Sequence, residues 1–466
     1  MGIVVSNDEE PAPIQPTAHE VERSEEIYRL LLQRGNEANP EPDLTRIQQL
    51  MDFAGDPHNA QPIIHLTGTN GKTSTARMIE ALLREMNLRT GRYTSPHLSD
   101  VKERIAIDGQ PITPAAFNAA WEDIEPFLAM VDAQSGAQDG PRVSYFEALT
   151  ALAFTAFSDA PVEVGIVEVG MGGQWDATNV VDSRVAIITP VTRDHERWLG
   201  YSLTEIATEK AGIIKPGSTV IIAEQEPEVM EILLQAAEEK DARVISEGID
   251  LNVVDRDVAV GGQILTLQTP AGIYDGIFLP LLGAHQAHNA LLALAAVEQF
   301  IGSGGAVAGE IVEQGFTSVT SPGRLELVRS SPTILVDAAH NPGGARALGA
   351  ALEEVFAFER TVAIVGMLDD KDAEAFLSEL EPLITDVVVT EVASPRALPL
   401  TDMQEIAEDV FDEDRVHVAP RLDDAVDTAA TLAESHDGPL GGGIIITGSI
   451  VLVGHARVLL GKEDDA

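Results

Sequence analysis

The residues best equipped for chemistry lie where a short apolar run, Ile63 and Ile64, leads into Gly68, Thr69, Asn70, Gly71, Lys72, Thr73 and Ser74. Glycines at 68 and 71 let backbone N–H groups curl around β- and γ-phosphates, Lys72 supplies a point charge, and the hydroxyl of Thr73 or Ser74 can reach Mg2+. The spacing departs from the general phosphate loop, which would need glycine where this chain has Leu66. The variant is narrower than a generic nucleotide pattern, and so more informative.

Further polar groups stand beside apolar runs. Thr94, Ser95, Pro96, His97 and Leu98, with Glu103, Arg104 and Ile105 close behind, combine a hydroxyl, an imidazole and a charged pair; alone they read as a Ser-Pro turn. Glu168 ends an apolar run and precedes Gly170, Gly172 and Gly173. A carboxylate at the carboxyl end of a parallel strand suits Mg2+, and equally a buried ion pair. Asp194 and His195 follow another apolar run, and such a pair is more often structural than catalytic. Lys210 and Lys215 flank a turn, where lysines are usually solvated. Asp337, His340 and Asn341 precede Pro342, which also reads as a plain helix start.

The elements that must position these groups follow from periodicity. Helical spacing covers 21–34 and 44–53, then a strand spans 62–67 and a helix follows the phosphate loop. Apolar, β-branched runs at 162–169, 184–191 and 218–223 alternate with helical stretches, which predicts a mostly parallel sheet with flanking helices. Residues 251–280 alternate over short segments and predict a small antiparallel sheet, followed by helices near 286–300 and 306–314. Ser321, Pro322 and Gly323 mark a boundary. Beyond it, strands at 333–336, 362–365, 387–389, 416–418 and 444–447 alternate with helices starting near 343, 371, 402 and 422, an open doubly wound pattern without the glycine fingerprint of a dinucleotide site. The expected class is α/β: a phosphate-loop domain at 21–320 and a C-terminal Rossmann-like domain at 321–460. Tails at 1–20 and 461–466 complete the chain, and their composition predicts disorder.

Composition sets outer limits. At 466 residues and 44% hydrophobic content, two folded domains are expected. No apolar run reaches the roughly 20 residues that span a bilayer, so a soluble, cytoplasmic protein is expected. The absence of cysteine excludes disulfides and thiolate ligands. A formal charge of −45 repels nucleic acid and anionic lipid. An anionic ligand must therefore be captured by a local basic pocket, and Lys72, Arg77, Lys102, Arg104, Arg193, Arg197, Lys210 and Lys215 lie near enough in sequence to build one.

Taken in order, these motifs resemble those of the folylpolyglutamate synthases and dihydrofolate synthases, a branch of the Mur ligase superfamily. The resemblance runs from about residue 21 to 460. It rests on the 68–74 loop, the 94–98 and 103–105 segments, Tyr145 to Glu147, and Glu168 to Gly173 with Asp176 to Asn179. It continues through Asp194 and His195, Glu209 to Gly212, His288 to Ala290, Gly323 to Glu326, Asp337 to Pro342, and Thr447 to Ser449. Ala338 stands where the family commonly has glycine, and Trp198 is a large residue without an assigned part.

The resemblance implies an ATP-dependent ligase that activates a pterin-containing acid as an acyl phosphate, which the amine of L-glutamate then attacks. It makes ATP a substrate, bound by Gly68, Thr69, Asn70, Gly71, Lys72, Thr73, Ser74, Asn289, Arg324 and Asp337. It implies two Mg2+ sites drawn from Ser95, Glu168, His195 and Lys210, the last similar to a lysine carboxylated by CO2. Lys72, Lys210 and His340 would be the catalytic set, with His340 and Ser449 facing glutamate. Ser144, Tyr145, Phe146, Glu147, Trp175, Asp176 and Ala177 would line the pterin pocket, where aromatic rings suit a flat heterocycle. Dihydropteroate and tetrahydrofolates are the acceptors implied, and a monomer with only small-molecule partners is expected. A peptidoglycan-type Mur ligase would carry a further N-terminal domain of about 100 residues, a typical domain size. A phosphate-loop switch or motor would carry the general glycine spacing.

Overall fold

β1 (Ile63–Thr67) is buried along its whole length because strands flank it on both edges and helices cover both faces. The computed structural model describes residues 15–35, 43–302, 304–435 and 441–462. β1 belongs to an eight-stranded sheet with β2 (Thr90–Tyr93), β3 (Ile105–Ile107), β4 (Gln110–Pro111), β5 (Val164–Glu168), β6 (Val185–Ile188), β7 (Thr219–Ile222) and β8 (Arg243–Ser246). Their order is β4-β3-β2-β5-β1-β6-β7-β8; β2, β3 and β4 pair antiparallel, and all other neighbours are parallel. The carboxyl ends of β5, β1 and β6 therefore deliver Glu168, the 68–74 loop and the segment leading to His195 to one edge.

The sheet at 251–280 forms as predicted. β9 (Asn252–Ala259), β10 (Gly262–Thr269) and β11 (Gly272–Leu279) make an antiparallel meander. Its inward residues Leu265, Leu267, Tyr274, Ile277 and Leu279 share an apolar cluster with the helices Ala284–Gly302 and Lys72–Glu85. The meander thus braces the helix that carries Asn289 against the helix that begins at Lys72.

The C-terminal sheet contains β12 (Glu326–Ser330), β13 (Thr333–Val336), β14 (Arg360–Val365), β15 (Asp386–Val389), β16 (Val416–Val418) and β17 (Gly442–Thr447), in the order β12-β13-β17-β14-β15-β16. All neighbours are parallel except β12, an antiparallel edge strand that the sequence pattern does not anticipate. With β17 between β13 and β14, the carboxyl ends of these three strands form a switch-point crevice. From it emerge Asp337 to Asn341, the loop to Lys371, and Ser449.

The first helix, Ala18–Leu32, starts inside the segment predicted to be disordered. A capping box explains the early start: Thr17 accepts from Glu20 N at 3.3 Å while Glu20 accepts from Thr17 N at 2.7 Å. Residues 1–14 and 463–466 of the expected tails lie outside the described residues. Among the described residues no helix is long and apolar enough to cross a membrane.

The helix bearing Lys72 is tied to β2 by a buried ion pair. Glu80 Oε2 accepts from Arg92 Nε at 2.7 Å, and the two side chains are 5% and 3% exposed. Glu80 also accepts from Gly109 N at 3.2 Å. Removing one partner of such a pair strands the other charge in the interior, and Glu80→Ala is expected to cost about 3 kcal/mol. Urea unfolding checks this; a midpoint equal to that of the parent chain would refute it.

Candidate active site

The 68–74 loop owes its shape to close neighbours. Gly68 has φ +143° and Gly71 φ +91°, in the region that favours glycine. A Cβ at 68 would collide with Thr189, and one at 71 would lie 2.5 Å from Asn289 Oδ1. The loop is thus pressed between the end of β6 and the Ala284–Gly302 helix. Thr69 N donates to Pro190 O at 2.9 Å, and Thr69 Oγ1 donates to Thr192 O at 2.9 Å, which locks it further.

Lys72 Nζ donates to the carbonyls of Gly68 and Thr69, each at 3.1 Å. Lys210, in the last turn of Leu203–Ala211, is buried, and its Nζ donates to the same Gly68 carbonyl at 2.7 Å. Burial lowers the pKa of both lysines, and that of Lys210, with Lys72 beside it, falls to about 7. Glu168 is 1% exposed and accepts from Thr73 Oγ1 at 2.9 and 3.1 Å; burial raises its pKa although Lys72 opposes the shift. The backbone N–H of Ser95 also acts on this carboxylate.

Across the cleft, Asp337 accepts from Leu325 N at 2.7 Å and Ala339 N at 2.8 Å, which holds the turn after β13. His340 Nδ1 donates to Ala338 O at 2.8 Å, and its Nε2 lies 3.4 Å from Asp194 Oδ2. Asn341 Oδ1 caps the Pro342–Val355 helix through Gly344 N at 2.8 Å, and its amide exchanges hydrogen bonds with that of Asn70, each at 3.2 Å. Burial pushes the His195 imidazole down to about 3, against the pull of Asp194. For Asp194, burial raises the pKa, but the Lys371 ammonium, His195 and the hydrogen bond and charge of His340 together outweigh it, and the carboxyl ends well below its usual range.

One cleft is lined by all seven residues of the loop and by Ser95, Glu168, His195, Lys210, Asn289, Arg324, Asp337 and His340. Ser449 is not in that lining; it caps Ile450–Leu459, accepting from Val451 N at 3.2 Å. The seven residues assigned to a pterin lie outside the lining too, and they split. Tyr145 sits in the core under the Arg104 guanidinium, 5.6 Å from its ring centre, and Ala177 is in the same cluster. Trp175 packs with Met171 and Leu199 in a different cluster. Ser144 and Glu147 form a capping box, and Glu147 also pairs with Arg46 at 3.2 Å. Asp176 braces its own turn, accepting from Met171 N and Thr178 N at 2.9 Å, and burial raises its pKa to about 6. Three of the seven adjoin residues that line the cleft: Phe146 lies against Gly170, Asp176 accepts from Met171 N, and Trp175 shares a cluster with Met171 and Leu199.

Polar side chains from the start of the Ala284–Gly302 helix, and Gly344, Ala347 and Leu348 of Pro342–Val355, join the cleft without a motif to announce them. His285 and Gln286 line the cleft, whereas His288 turns onto Glu247. The spacing of four from His285 to Asn289, which puts both on one helix face, was the available signal. Lys371, inside an acidic run, gave none.

Comparison with known proteins follows the same outline. Residues 66–297 match the Mur ligase middle domain and residues 323–449 the Mur ligase glutamate ligase domain. The chain is 48% identical over 469 aligned residues to the dihydrofolate synthase/folylpolyglutamate synthase of Mycobacterium tuberculosis, covering 97% of this chain and 96% of that protein. Superposition on the Mycobacterium tuberculosis folylpolyglutamate synthase complexed with ADP gives a TM-score of 0.92 over 95% of this chain and 99% of that one, at 48% identity. For Escherichia coli FolC in complex with DHPP and ADP the TM-score is 0.80 over 94% and 97%, at 28% identity.

The depressed pKa of Lys210 has a consequence for stability. Between pH 7 and the normal lysine range the unfolded chain binds more protons at this residue than the folded one, so stability attributable to Lys210 rises with pH. Lys210→Met removes that increment. In CO2-free buffer its advantage over the parent in urea unfolding should shrink steadily from pH 7 to pH 9, and a pH-independent difference would contradict the assignment.

Proposed function

The chain belongs to the Mur ligase family, in its folylpolyglutamate synthase and dihydrofolate synthase branch, and from that premise we propose that it joins L-glutamate by an amide bond to dihydropteroate and to the glutamate tail of tetrahydrofolates, at the expense of ATP. The observation that carries the reading is the convergence of the 68–74 loop, Glu168, Lys210, Arg324, Asp337 and His340 on one cleft between the carboxyl ends of two parallel sheets.

A carboxylate is a poor electrophile, so its oxygen first takes the γ-phosphoryl group of ATP, and the glutamate amine then displaces phosphate from the acyl phosphate. Both steps depend on positioning and on charge stabilisation. Lys72 and the loop amides hold the β- and γ-phosphates, and in doing so Lys72 exchanges the Gly68 and Thr69 carbonyls for anionic oxygens. Asn289 and Arg324 lie where the rest of the nucleotide crosses the cleft, with Asp337 fixing the backbone that presents Arg324 and His340. His340 faces the incoming glutamate and the acyl phosphate; Ser449 contributes through the start of the Ile450–Leu459 helix, which it caps.

The donor set fits Mg2+. Glu168 is a buried carboxylate beside the Thr73 hydroxyl and Ser95, a hard-oxygen set for one ion shared with phosphate. Mg2+ there would neutralise phosphate charge during transfer. For a second ion, His195 needs an anionic oxygen next to it. Carboxylation of Lys210 would supply one, and an amine with a pKa near 7 is neutral often enough to take up CO2. Phe146 against Gly170, with Trp175 and Asp176 beside Met171, supports entry of the pterin acid from that side of the cleft. ATP, glutamate and a pterin acid as substrates support a cytoplasmic reaction, and the working unit of this reading is a monomer, whose cleft already gathers the phosphate loop, Glu168, His195, Lys210 and His340.

Incorporation of labelled glutamate into dihydropteroate and into tetrahydrofolate, with ATP and Mg2+, is the direct test, and no incorporation into either would sink the proposal. Lys72→Ala should abolish turnover while the chain stays folded, with an unchanged far-ultraviolet circular dichroism spectrum; undiminished turnover would relocate the phosphate site. With 13C-bicarbonate, a carbamate NMR signal is expected in the parent and not in Lys210→Met, and its absence from both would remove the carboxylated lysine.

A further inference from the structure

Three side chains of the C-terminal domain close on one carboxylate of the first. Lys371 Nζ lies 2.6 Å from Asp194 Oδ1, Asn341 Nδ2 donates to Asp194 Oδ2 at 2.9 Å, and His340 Nε2 stands 3.4 Å from Oδ2. The Lys371 and Asp194 side chains are 6% and 8% exposed. We propose that this cluster is a clasp that seats the glutamate-ligase domain over the phosphate loop, and that Lys371 is a positioning residue for ligation.

Apolar packing does little of this work. Every apolar cluster draws its buried members from one domain, and among the described residues Leu98 and Leu282 are the partly buried side chains that cross. An interface of that kind leaves domain motion as the default unless something polar fixes it. A buried ion pair is well suited: it adds little net stability over an apolar pair, but the loss of one partner leaves a charge stranded, so its geometry is strongly specified.

The contacts form one connected set. Asp194 Oδ1 accepts from the backbone N–H of His195, at 2.8 Å, and so couples Lys371 to the placement of that imidazole. Asn341 extends the chain of contacts to Asn70 in the phosphate loop and to the N-terminus of Pro342–Val355. Lys371 is presented from a braced loop: its N–H donates to Leu368 O at 3.2 Å, Asp369 N donates to Arg396 O at 2.9 Å, and Asp370 pairs with Arg396 at 2.7 Å. A side chain anchored in this way transmits position, which a surface lysine does not.

The kinetic half of this proposal rests on the ligase reading; the geometric half does not. Full-length Lys371→Met, Asp194→Asn, the double variant and Lys371→Arg are compared with the parent. The measurements are glutamate kcat/KM at saturating ATP, ADP affinity by calorimetry, and radius of gyration by X-ray scattering. Each single neutral substitution should lower kcat/KM at least about 30-fold, as for other truncated buried charge pairs. The double variant, which strands no charge, should be no worse than the poorer single one, Lys371→Arg should exceed Lys371→Met, and the loss in ADP affinity should be smaller than that in kcat/KM. The neutral variants should also have a larger radius of gyration. Losses that multiply in the double variant would show two separate roles and overturn the clasp, as would unchanged kcat/KM with only a lower Tm. A parent without glutamate ligation would sink the functional reading, and scattering alone would then decide the clasp.

Discussion

Two buried lysine side chains, Lys72 and Lys210, share one carbonyl oxygen, that of Gly68, and the cost of charging both governs the architecture around the cleft. Like charges at such range repel strongly in a low-dielectric interior, and each also carries the cost of leaving water. Carbonyl dipoles and the carboxylates of Glu168 and Asp194 offset the cost in part. A polyphosphate entering the cleft relieves this repulsion at Lys72, whose ammonium turns from the two carbonyls to anionic oxygens a short distance away. The carbonyl can face both lysines only because Gly68 and Gly71 take positive φ, and Thr189 and Asn289 hold them there. The placement of β6 and of Ala284–Gly302, and hence of the small sheet beneath that helix, follows from the same demand.

The C-terminal sheet meets this cation cluster with the complementary half of the chemistry. Asp337 spends both oxygens on backbone N–H groups, so its main part is to shape the turn that carries His340 and Asn341. Asn341 serves as helix cap, as partner of Asn70 and as donor to Asp194 at once. Each domain completes its apolar core by itself, so the active geometry lies in polar contacts across the cleft. Such contacts are directional and few, which favours a cleft that can admit substrate and close again.

The sequence displays the central strands well and the edges poorly, for a physical reason. β1, β5, β6 and β7 are buried on both faces and read as continuous apolar runs, and the alternation at 251–280 matches a sheet with one covered face. β2 carries Arg92 in its interior, which hides it until Glu80 is seen beside it. β12 exposes Leu327 and pairs antiparallel, so neither its periodicity nor its direction fits a βα repeat. In the cleft, the loop, Glu168 and His195 were legible because each ends a strand. Lys371 was not, since Asp369, Asp370 and Asp372 around it make an ordinary solvated charge run. The family resemblance groups the aromatic and acidic residues at 144–147 and 175–177, and packing divides them between two cores.

The net charge of −45 and the anionic character of every proposed substrate are in apparent conflict. Screening resolves it. At physiological ionic strength surface charges lose influence beyond about 8 Å, whereas groups within a cleft interact at contact distance through a poorer dielectric. Lys72 and Arg324 line such a cleft, and Lys72 donates to backbone carbonyls, so its charge is not spent on a direct carboxylate contact. The acidic exterior and the cationic interior can therefore vary independently, and the acidity constrains solubility while leaving phosphate capture to the loop.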